Sequence, residues 1–353
     1  MEQYILTGSN LKKLAENLLI LESNKGEASW NLISVSEDGL QYQKVMEADK
    51  INLNSKAAPT KISFKEYFLP KSETLFYFKQ NQNDVELSDS KLTDKKTVIF
   101  GAKPCDAASV PALEKVFNWD YHDDFFNTRV ANTFIIGLAC EYSDEYCFCN
   151  SVGLSQNAEK GSDIFLTRQN DDSFLAKIVT QKGNDFVAAF KVFFSRMNEF
   201  PESAGCMKSP EKESLAQSRK FDYQSIKKRL DKNFADGFWN TAGELCLGCA
   251  QCAFVCPTCH CFDIVDENCG LNCGRRAKNW DSCQFSIFTK HTSGHNPRDN
   301  QNKRYRQRIM HKFKYYNDKF EEILCTGCGR CSRGCEAGID IAGILEEIEQ
   351  LPE

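Results

Sequence analysis

Cysteine is the residue type with the clearest chemical potential in this chain, and most of the cysteines fall in one region. Of 18 cysteines, thirteen lie in the 90 residues from Cys246 to Cys335. This region contains two runs of the form C-x2-C-x2-C-x3-C. The runs consist of Cys246, Cys249, Cys252 and Cys256, and of Cys325, Cys328, Cys331 and Cys335. Such a run supplies the thiolates that bind a 4Fe–4S cluster.

The spacing within each run predicts how two clusters share the eight thiols. Three thiolates placed two residues apart can wrap around three corners of one cubane, while the fourth points away and binds the cluster of the other run. One cluster is therefore predicted on Cys246, Cys249, Cys252 and Cys335, and the other on Cys325, Cys328, Cys331 and Cys256. The alternative is a pair of zinc sites. Zinc usually takes closely spaced cysteine pairs that are separated by a dozen or more residues, which fits two unbroken runs poorly.

A second group of cysteines lies in the N-terminal half, with irregular spacing. Cys105 follows a buried-type strand, Cys140 ends the next one, and Cys147 and Cys149 lie in the loop after it. If the two strands are parallel neighbours, their carboxyl ends meet at one edge of the sheet and bring the four thiols together. This arrangement predicts a third cubane. A single zinc ion and four metal-free buried thiols remain the alternatives.

Five cysteines lie between the two runs and are not needed by either C-terminal cluster, and three of them are candidates for chemistry of their own. Cys259 and Cys261 flank His260, and Cys283 comes later in the same insert. These thiols could hold another metal or form a redox-active pair. The alternative is packing, because a free cysteine behaves as a small hydrophobic residue when buried.

The 68 residues between the two runs form an insert that we expect to be largely helical. Within it, Arg275 to Lys314 carries eleven Lys and Arg residues against two Asp. The segment could be a solvated basic face or a nucleic-acid patch. We favour a third interpretation, in which the cations offset the negative charge of all-cysteine clusters, a role that can be combined with docking to a partner.

The elements that would position the N-terminal cysteines follow from hydrophobic periodicity. Ser9 is a candidate N-cap for a helix with leucines at 11, 14, 18 and 21, and short apolar runs from Ser29 to Phe78 indicate strands. Thr97–Gly101 and Thr133–Ala139 have the composition of buried strands and enclose a helical stretch with Val110, Leu113 and Phe117 on one face. Strand, helix and strand in this order predict a parallel βαβ unit.

Further along the chain, a helix is predicted over Phe186–Met197 and an amphipathic closing helix over Ile341–Ile348. The fold class is therefore α+β. We expect an α/β-type domain over residues 1–200, a polar linker over 201–221 and a dicluster domain over 222–353.

Length, charge and the N-terminal segment exclude several classes of protein. A chain of 353 residues can bury a sizeable core without disulfides, and its net charge of −5 argues against a general nucleic-acid coat. The first ten residues lack a basic flank and an apolar stretch, and the longest apolar run is far short of a bilayer span. We therefore expect a cytoplasmic protein whose cysteines are reduced.

A set of motifs between and before the cluster runs resembles a known family. The motifs are Gly101-Ala-Lys-Pro-Cys105-Asp106, Cys140 through Cys147-Phe-Cys149, Cys256-Pro-Thr-Cys259-His-Cys261-Phe-Asp, Trp280-Asp-Ser-Cys283, Gly294-His-Asn-Pro-Arg298 and His311-Lys-Phe313. Together they resemble the iron–sulfur beta subunit of cytoplasmic nickel–iron hydrogenases, also called sulfhydrogenases. They are similar as well to the A subunit of anaerobic sulfite reductase.

The resemblance implies an iron–sulfur electron-transfer subunit in an anaerobic oxidoreductase complex. It would relay electrons between a flavin subunit that handles NAD(P)H and a catalytic subunit of nickel–iron or sirohaem type. It also implies that the C-terminal domain is an α-helical ferredoxin. The chain has no G-x-G-x-x-G fingerprint and no Walker run, so NAD(P)H is expected to bind a neighbouring subunit. In this interpretation the chain is a non-catalytic electron-transfer subunit of an oxidoreductase complex; the alternative is a redox enzyme subunit with its own site at Cys259, Cys261 and Cys283.

Overall fold

The computed structural model describes residues 3–23, 30–92, 95–169, 172–196 and 219–352. These residues form two compact units of mixed α and β structure, and neither unit is continuous in sequence. The first unit contains described residues of Met1–Phe64, Asp94–Lys220 and Thr326–Cys328. The second contains described residues of Lys65–Thr93, Phe221–Cys325 and Gly329–Glu353.

The first unit is built around an eight-stranded mixed sheet. Its strands are β1 (Gln3–Thr7), β2 (Trp30–Val35), β3 (Tyr42–Lys44), β6 (Lys96–Ala102), β7 (Thr133–Leu138), β8 (Ile164–Arg168), β9 (Ser173–Ile178) and β10 (Ser195–Arg196), and its helices are α1 (Gly8–Ser23), α2 (Pro104–Ala107), α3 (Ser109–Asn118), α4 (Asp124–Asn132) and α5 (Gln181–Ala189). The strand order is β10-β1-β9-β8-β7-β6-β2-β3. Strands β2, β6, β7 and β8 are parallel neighbours, and the remaining pairings are antiparallel.

The predicted βαβ unit is confirmed. Strands β6 and β7 pair in parallel, and α2, α3 and α4 lie between them in sequence. Every residue of β7 is buried, as expected for a strand covered on both faces. The carboxyl ends of these two strands lie directly before Cys105 and Cys140, so the topology brings both cysteines to one edge of the sheet.

Two helix predictions in this unit differ from the structure at their ends. Helix α1 begins at Gly8, one residue before the predicted N-cap Ser9, and its Leu11, Leu14 and Leu18 are buried as expected. The helix predicted over Phe186–Met197 instead runs over Gln181–Ala189. Its start is fixed by Thr180, whose side chain accepts a hydrogen bond from the Gly183 N–H. The chain then leaves the helix, and Phe194 packs into the core.

The second unit contains a four-stranded antiparallel sheet and a set of short helices. Its strands are β4 (Ser72–Asn81), β5 (Asp84–Asp89), β11 (Phe262–Asn268) and β12 (Cys273–Trp280), in the order β11-β12-β4-β5. Its helices are α6 (Tyr223–Lys232), α7 (Phe238–Ala242), α8 (Gln251–Phe254), α9 (Gln301–Met310), α10 (Tyr316–Phe320), α11 (Arg330–Arg333) and α12 (Ile341–Ile348). A π-helical turn, His311–Tyr315, joins α9 to α10. The predicted closing helix is present as α12, with Asp340 as its N-cap.

The prediction of a largely helical insert is wrong for its first part, which forms the β11–β12 hairpin. Ion pairs across the hairpin contribute to this structure, since Glu267 faces Arg275 and Asp266 faces Arg276. Strand β12 also pairs with β4, so residues 65–92 lie with the C-terminal residues, whereas the predicted domain ranges are continuous. The predicted linker 201–221 lies outside the described residues except at 219–221.

Candidate iron–sulfur sites

One cavity of the second unit is lined by the cysteines predicted for the first cluster. Cys246, Cys249 and Cys252 come from the first run, and Cys335 is the fourth cysteine of the second run. Cys331 lines the cavity too, so five thiols are present for the four corners of one cubane. Short helices begin inside both runs, α8 in the first and α11 in the second, and the residue before each helix, Ala250 or Gly329, has positive φ.

Polar side chains hold the Cys246 thiol at the edge of this cavity. The Gln301 side-chain amide donates to Cys246 Sγ at 3.1 Å and to Gln284 Oε1 at 3.0 Å. Burial raises the pKa of Cys252 to about 12, and nearby Arg308 opposes that shift. A buried thiolate therefore needs positive charge at this site, which a metal cluster or a cationic side chain supplies.

Cys256, the fourth cysteine of the first run, lies beside the start of the second run. The Lys312 ammonium group donates to Cys256 Sγ at 3.4 Å, to Thr258 Oγ1 at 3.0 Å and to the Leu324 carbonyl at 3.0 Å. Leu324 directly precedes Cys325, and both Cys256 and Cys325 raise the pKa of Lys312 against the effect of burial. This position is the one that the crossed assignment requires of Cys256.

Buried cations surround these thiols. Arg308 donates to Cys259 Sγ at 3.3 Å and to the Cys252 carbonyl at 2.9 Å. Lys65, which sequence reasoning missed, donates to the carbonyls of Cys259 at 2.9 Å and Ala253 at 3.2 Å. Burial lowers the pKa of Lys65, whereas the thiols of Cys259 and Cys256 favour its charged form. The sequence gives no signal for Lys65, because the fold brings it to these residues from about 190 positions away.

The basic segment Arg275–Lys314 divides into residues with different roles. Arg308 and Lys312 lie against the cysteine thiols, as the electrostatic interpretation expects. Others form ion pairs with carboxylates, at Arg275, Arg276, Lys278, Lys303 and Lys314. The segment is therefore not one continuous basic face.

The N-terminal cysteines lie in the first unit, with Cys105 and Cys140 near one buried lysine. Lys103 donates to the carbonyls of Ser55 at 2.8 Å and Asn54 at 3.0 Å. Burial lowers the pKa of Lys103, and the thiols of Cys140 and Cys105 oppose that effect. These contacts place Cys105 and Cys140 around the same cation, in agreement with the topology.

Cys147 and Cys149 follow Cys140 in a tight turn and are buried. The Cys147 N–H donates to Asp144 Oδ1 at 3.0 Å. The Phe148 N–H donates to the Gly327 carbonyl at 3.0 Å, and Gly327 has positive φ. Any side chain at Gly327 would collide with the Cys149 backbone, so this position of the second run requires glycine. Buried Cys328 belongs to the same three-residue segment of the first unit.

The thiols of Cys259, Cys261 and Cys283 make two separate contacts in the structure. Cys259 shares a hydrogen bond with Cys256, which together with Lys312 and Arg308 holds the pKa of Cys256 below its usual range. Cys261 shares a hydrogen bond with Cys283. His260 lies between these cysteines in sequence, and burial lowers its pKa to about 4. The three thiols therefore do not form one group.

The donor set fits a cubane better than a single ion. Within the described ranges, no three histidine, cysteine or carboxylate side chains converge closely enough to hold one metal ion. In a cubane each thiolate binds a different iron, so its ligands surround a volume rather than a point. A cavity with thiols on its walls and buried cations near them meets that requirement, and the residues present fit the group.

Comparison with known proteins agrees with this geometry. Residues 245–339 match the family described as a 4Fe-4S dicluster domain. This part of the chain, which contains both cysteine runs, is thus an iron–sulfur domain of the dicluster class.

The relationship extends beyond that domain. The chain is 31% identical over 310 residues to sulfhydrogenase 2 subunit beta of Pyrococcus furiosus, and the match covers 88% of this chain and 89% of the relative. The chain belongs to this family of sulfhydrogenase beta subunits and is an iron–sulfur electron-transfer subunit. No solved structure matches it. Among the described residues, no helix combines the length and apolar character needed to cross a membrane.

Proposed function

We propose that the chain relays electrons between a flavin subunit that oxidises or reduces NAD(P)H and a catalytic redox subunit. The catalytic partner would be a hydrogenase of nickel–iron type or a sulfur or sulfite reductase of sirohaem type. The complex would work in the cytoplasm under anaerobic conditions. The relative from Pyrococcus furiosus is a sulfhydrogenase subunit, which favours the hydrogenase branch.

The observation that carries this proposal is the cavity lined by Cys246, Cys249, Cys252 and Cys335. Four thiolates would fill the protein ligand positions of a cubane, so a cluster here would carry electrons and would offer no open position to a substrate. The second cluster would be held by Cys325, Cys328, Cys331 and Cys256, and a third by Cys105, Cys140, Cys147 and Cys149. In this proposal the C-terminal ligands belong to a ferredoxin-like domain whose short helices carry the two runs, with the β11–β12 hairpin inserted between the runs.

The surface next to the first cavity supports exchange with a partner protein. Cys249 is exposed, and Leu245 and Leu247 on either side of Cys246 are 64% and 73% exposed. Large exposed apolar side chains of this kind are typical of interaction sites. A partner placed here would bring its own redox centre close to the thiols of the first run.

Purification of the tagged chain from its native cells, without oxygen, tests the proposal. We expect a flavoprotein and either a nickel–iron subunit or a sirohaem subunit to co-purify. We also expect the isolated chain to contain iron and acid-labile sulfide and to lack NADPH-dependent dye reduction. Robust NADPH oxidation by the pure flavin-free chain would contradict the relay function.

A further inference from the structure

Cys261 and Cys283 form a thiol pair that neither predicted cluster uses. Their side chains share a hydrogen bond, and the Cys283 N–H also donates to the Cys261 thiol. Both residues are partly exposed. The rest of the hairpin fixes this contact: Phe262 pairs with Trp280, and the Asp281 N–H donates to the Cys261 carbonyl at 3.0 Å.

The surroundings make the two thiols chemically different. The hydrogen bond from Cys261, together with Arg308 and a contact from Gln284, lowers the pKa of Cys283 to about 6. The Gln284 side-chain amide lies 3.4 Å from Cys283 Sγ. The same hydrogen bond and burial raise the pKa of Cys261. A thiolate beside a protonated thiol is the arrangement that favours thiol–disulfide exchange.

We propose that Cys261 and Cys283 form a reversible dithiol–disulfide couple that exchanges with small organic disulfides. The Cys283 thiolate attacks one sulfur of the disulfide RSSR, which forms a mixed disulfide and releases one thiolate RS⁻. Cys261 then loses its proton and attacks the Cys283 sulfur, which releases the second RS⁻. The net reaction converts two cysteine thiols and RSSR into one intrachain disulfide and two RSH, so the cysteines are oxidised and RSSR is reduced.

The couple lies next to the first cavity, which gives its redox state a local consequence. Gln284 contacts Cys283 through its amide nitrogen and accepts from Gln301 through Oε1 at 3.0 Å, and Gln301 donates to Cys246 Sγ. Formation of the disulfide therefore changes one end of a chain of contacts whose other end, the Cys246 thiol, lines the cavity. The exchange reaction itself does not depend on which cysteines hold the clusters.

Thiol mapping of the anaerobically purified full chain tests the proposal. The test is made in a chain that carries Cys273→Ser. This substitution breaks up the pair of Cys269 and Cys273, because their sulfurs lie 3.2 Å apart and would also oxidise. The chain is equilibrated with bis(2-hydroxyethyl) disulfide and 2-mercaptoethanol in graded ratios, quenched with acid, alkylated and digested with trypsin. Cys283 is then followed in the peptide Asn279–Lys290, where it is the one cysteine.

We expect less alkylated Cys283 as the ratio of bis(2-hydroxyethyl) disulfide to 2-mercaptoethanol rises, together with a disulfide-linked peptide that contains Cys261. The ratio of oxidised to reduced Cys283 should fall with the square of the 2-mercaptoethanol concentration. In the Cys261→Ser variant, Cys283 should carry a mixed disulfide instead, with a first-power dependence. Full alkylation of Cys283 at every ratio would overturn the proposal. So would a loss of iron and sulfide in Cys283→Ser, because it would make Cys283 a cluster ligand. Iron and sulfide in the unmutated chain test the relay function separately.

Discussion

At the scale of single residues, the C-terminal sites combine thiols with cations that have been removed from water. Arg308 and Lys312 each donate to a cysteine sulfur, and both are buried. Removing such charges from water costs several kcal/mol per ion unless opposite charge compensates them. The cations and the thiolates therefore depend on each other for stability.

The first prediction tests the crossed ligation. Cys256→Ala should remove the cluster held mainly by Cys325, Cys328 and Cys331, and with it about four irons per chain. Cys259→Ala serves as the control, because its thiol is hydrogen-bonded to Cys256 but is not a predicted ligand. Iron and sulfide analysis with electron paramagnetic resonance measures the outcome. If the loss were confined to the cluster on Cys246, Cys249 and Cys252, the crossed assignment would be wrong.

The second prediction concerns acid stability and His260. Burial lowers the folded-state pKa of His260 to about 4, below its unfolded value near 6.5. The unfolded chain therefore binds more protons between these values, so stability falls as the pH drops from about 6.5 to 4. At pH 5 the cost is about 2 kcal/mol by linkage. The midpoint of unfolding in guanidinium chloride should therefore depend less on pH for His260→Gln than for the unmutated chain between pH 7.5 and 5. An equal decrease of the midpoint in both chains on acidification would contradict this prediction.

The cysteine ligands and the residues around them differ in how far the sequence predicts them. The two runs are local patterns, so their type and spacing indicate the chemistry directly. Arg308 and Lys312 belong to a segment whose positive charge was expected to face the clusters, but the sequence does not distinguish them from Lys303 or Lys314. Lys65 could not be predicted, because tertiary contacts alone bring it to the Cys259 carbonyl.

At the scale of elements, the hairpin of β11 and β12 holds Cys261 and Cys283 in contact and joins them to β4. A buried ion pair connects β12 to β4. Lys278 Nζ lies 2.9 Å from Glu73 Oε2, and the two side chains are 6% and 3% exposed. Such a pair contributes little when intact, but the loss of one partner leaves a buried charge without compensation.

The third prediction follows from that ion pair. Glu73→Gln should destabilise the second unit by about 3–5 kcal/mol, because it removes the carboxylate that Lys278 Nζ contacts in a buried site. Asp266→Asn in the same sheet is a matched control. It breaks an ion pair between Asp266 and Arg276 whose side chains are 47% and 44% exposed, so its effect should be much smaller than that of Glu73→Gln. Chemical denaturation of both variants measures the difference, and equal effects would contradict the role of burial.

The sequence predicts some of these elements better than others. Strands β6 and β7 are continuous apolar segments next to a helix with a clear apolar face, and their parallel pairing follows from topology. The hairpin was missed because most β11 side chains are exposed, the apolar Phe262 and Ile264 among them, so hydrophobic periodicity gives little signal of a buried face. It is stabilised by cross-strand ion pairs and by pairing with β4, which lies about 200 residues earlier.

At the scale of the whole molecule, the cysteines belong to two units whose segments alternate along the sequence. The N-terminal group and the segment Thr326–Cys328 belong to the first unit, and the other cysteines of the two runs belong to the second. The position of β4 and β5 in the second unit is a consequence of long-range strand pairing. No local feature of the sequence indicates that pairing, which is why the predicted domains are continuous.

The fourth prediction concerns the total number of clusters. Three cubanes require about twelve irons per chain and two require about eight, at four irons per cluster. We expect about twelve in an anaerobically purified, fully loaded chain, and about eight in the Cys140→Ala variant. Iron and acid-labile sulfide measure both. A loaded chain that stays near eight, and that Cys140→Ala leaves unchanged, would remove the third cluster.

The pairing of β4 with β12 also constrains how the chain can fold during its synthesis. A ribosome that adds about 5–20 residues per second needs about 10–40 s to make the residues between Glu73 and Lys278. During that time β4 and β5 have been made, but the strand that covers the open edge of β4 does not yet exist. An uncovered strand edge can pair with other chains. Until β12 has been made, the β4–β5 hairpin of the nascent chain is therefore exposed to pairing with other chains along the edge of β4 that faces away from β5.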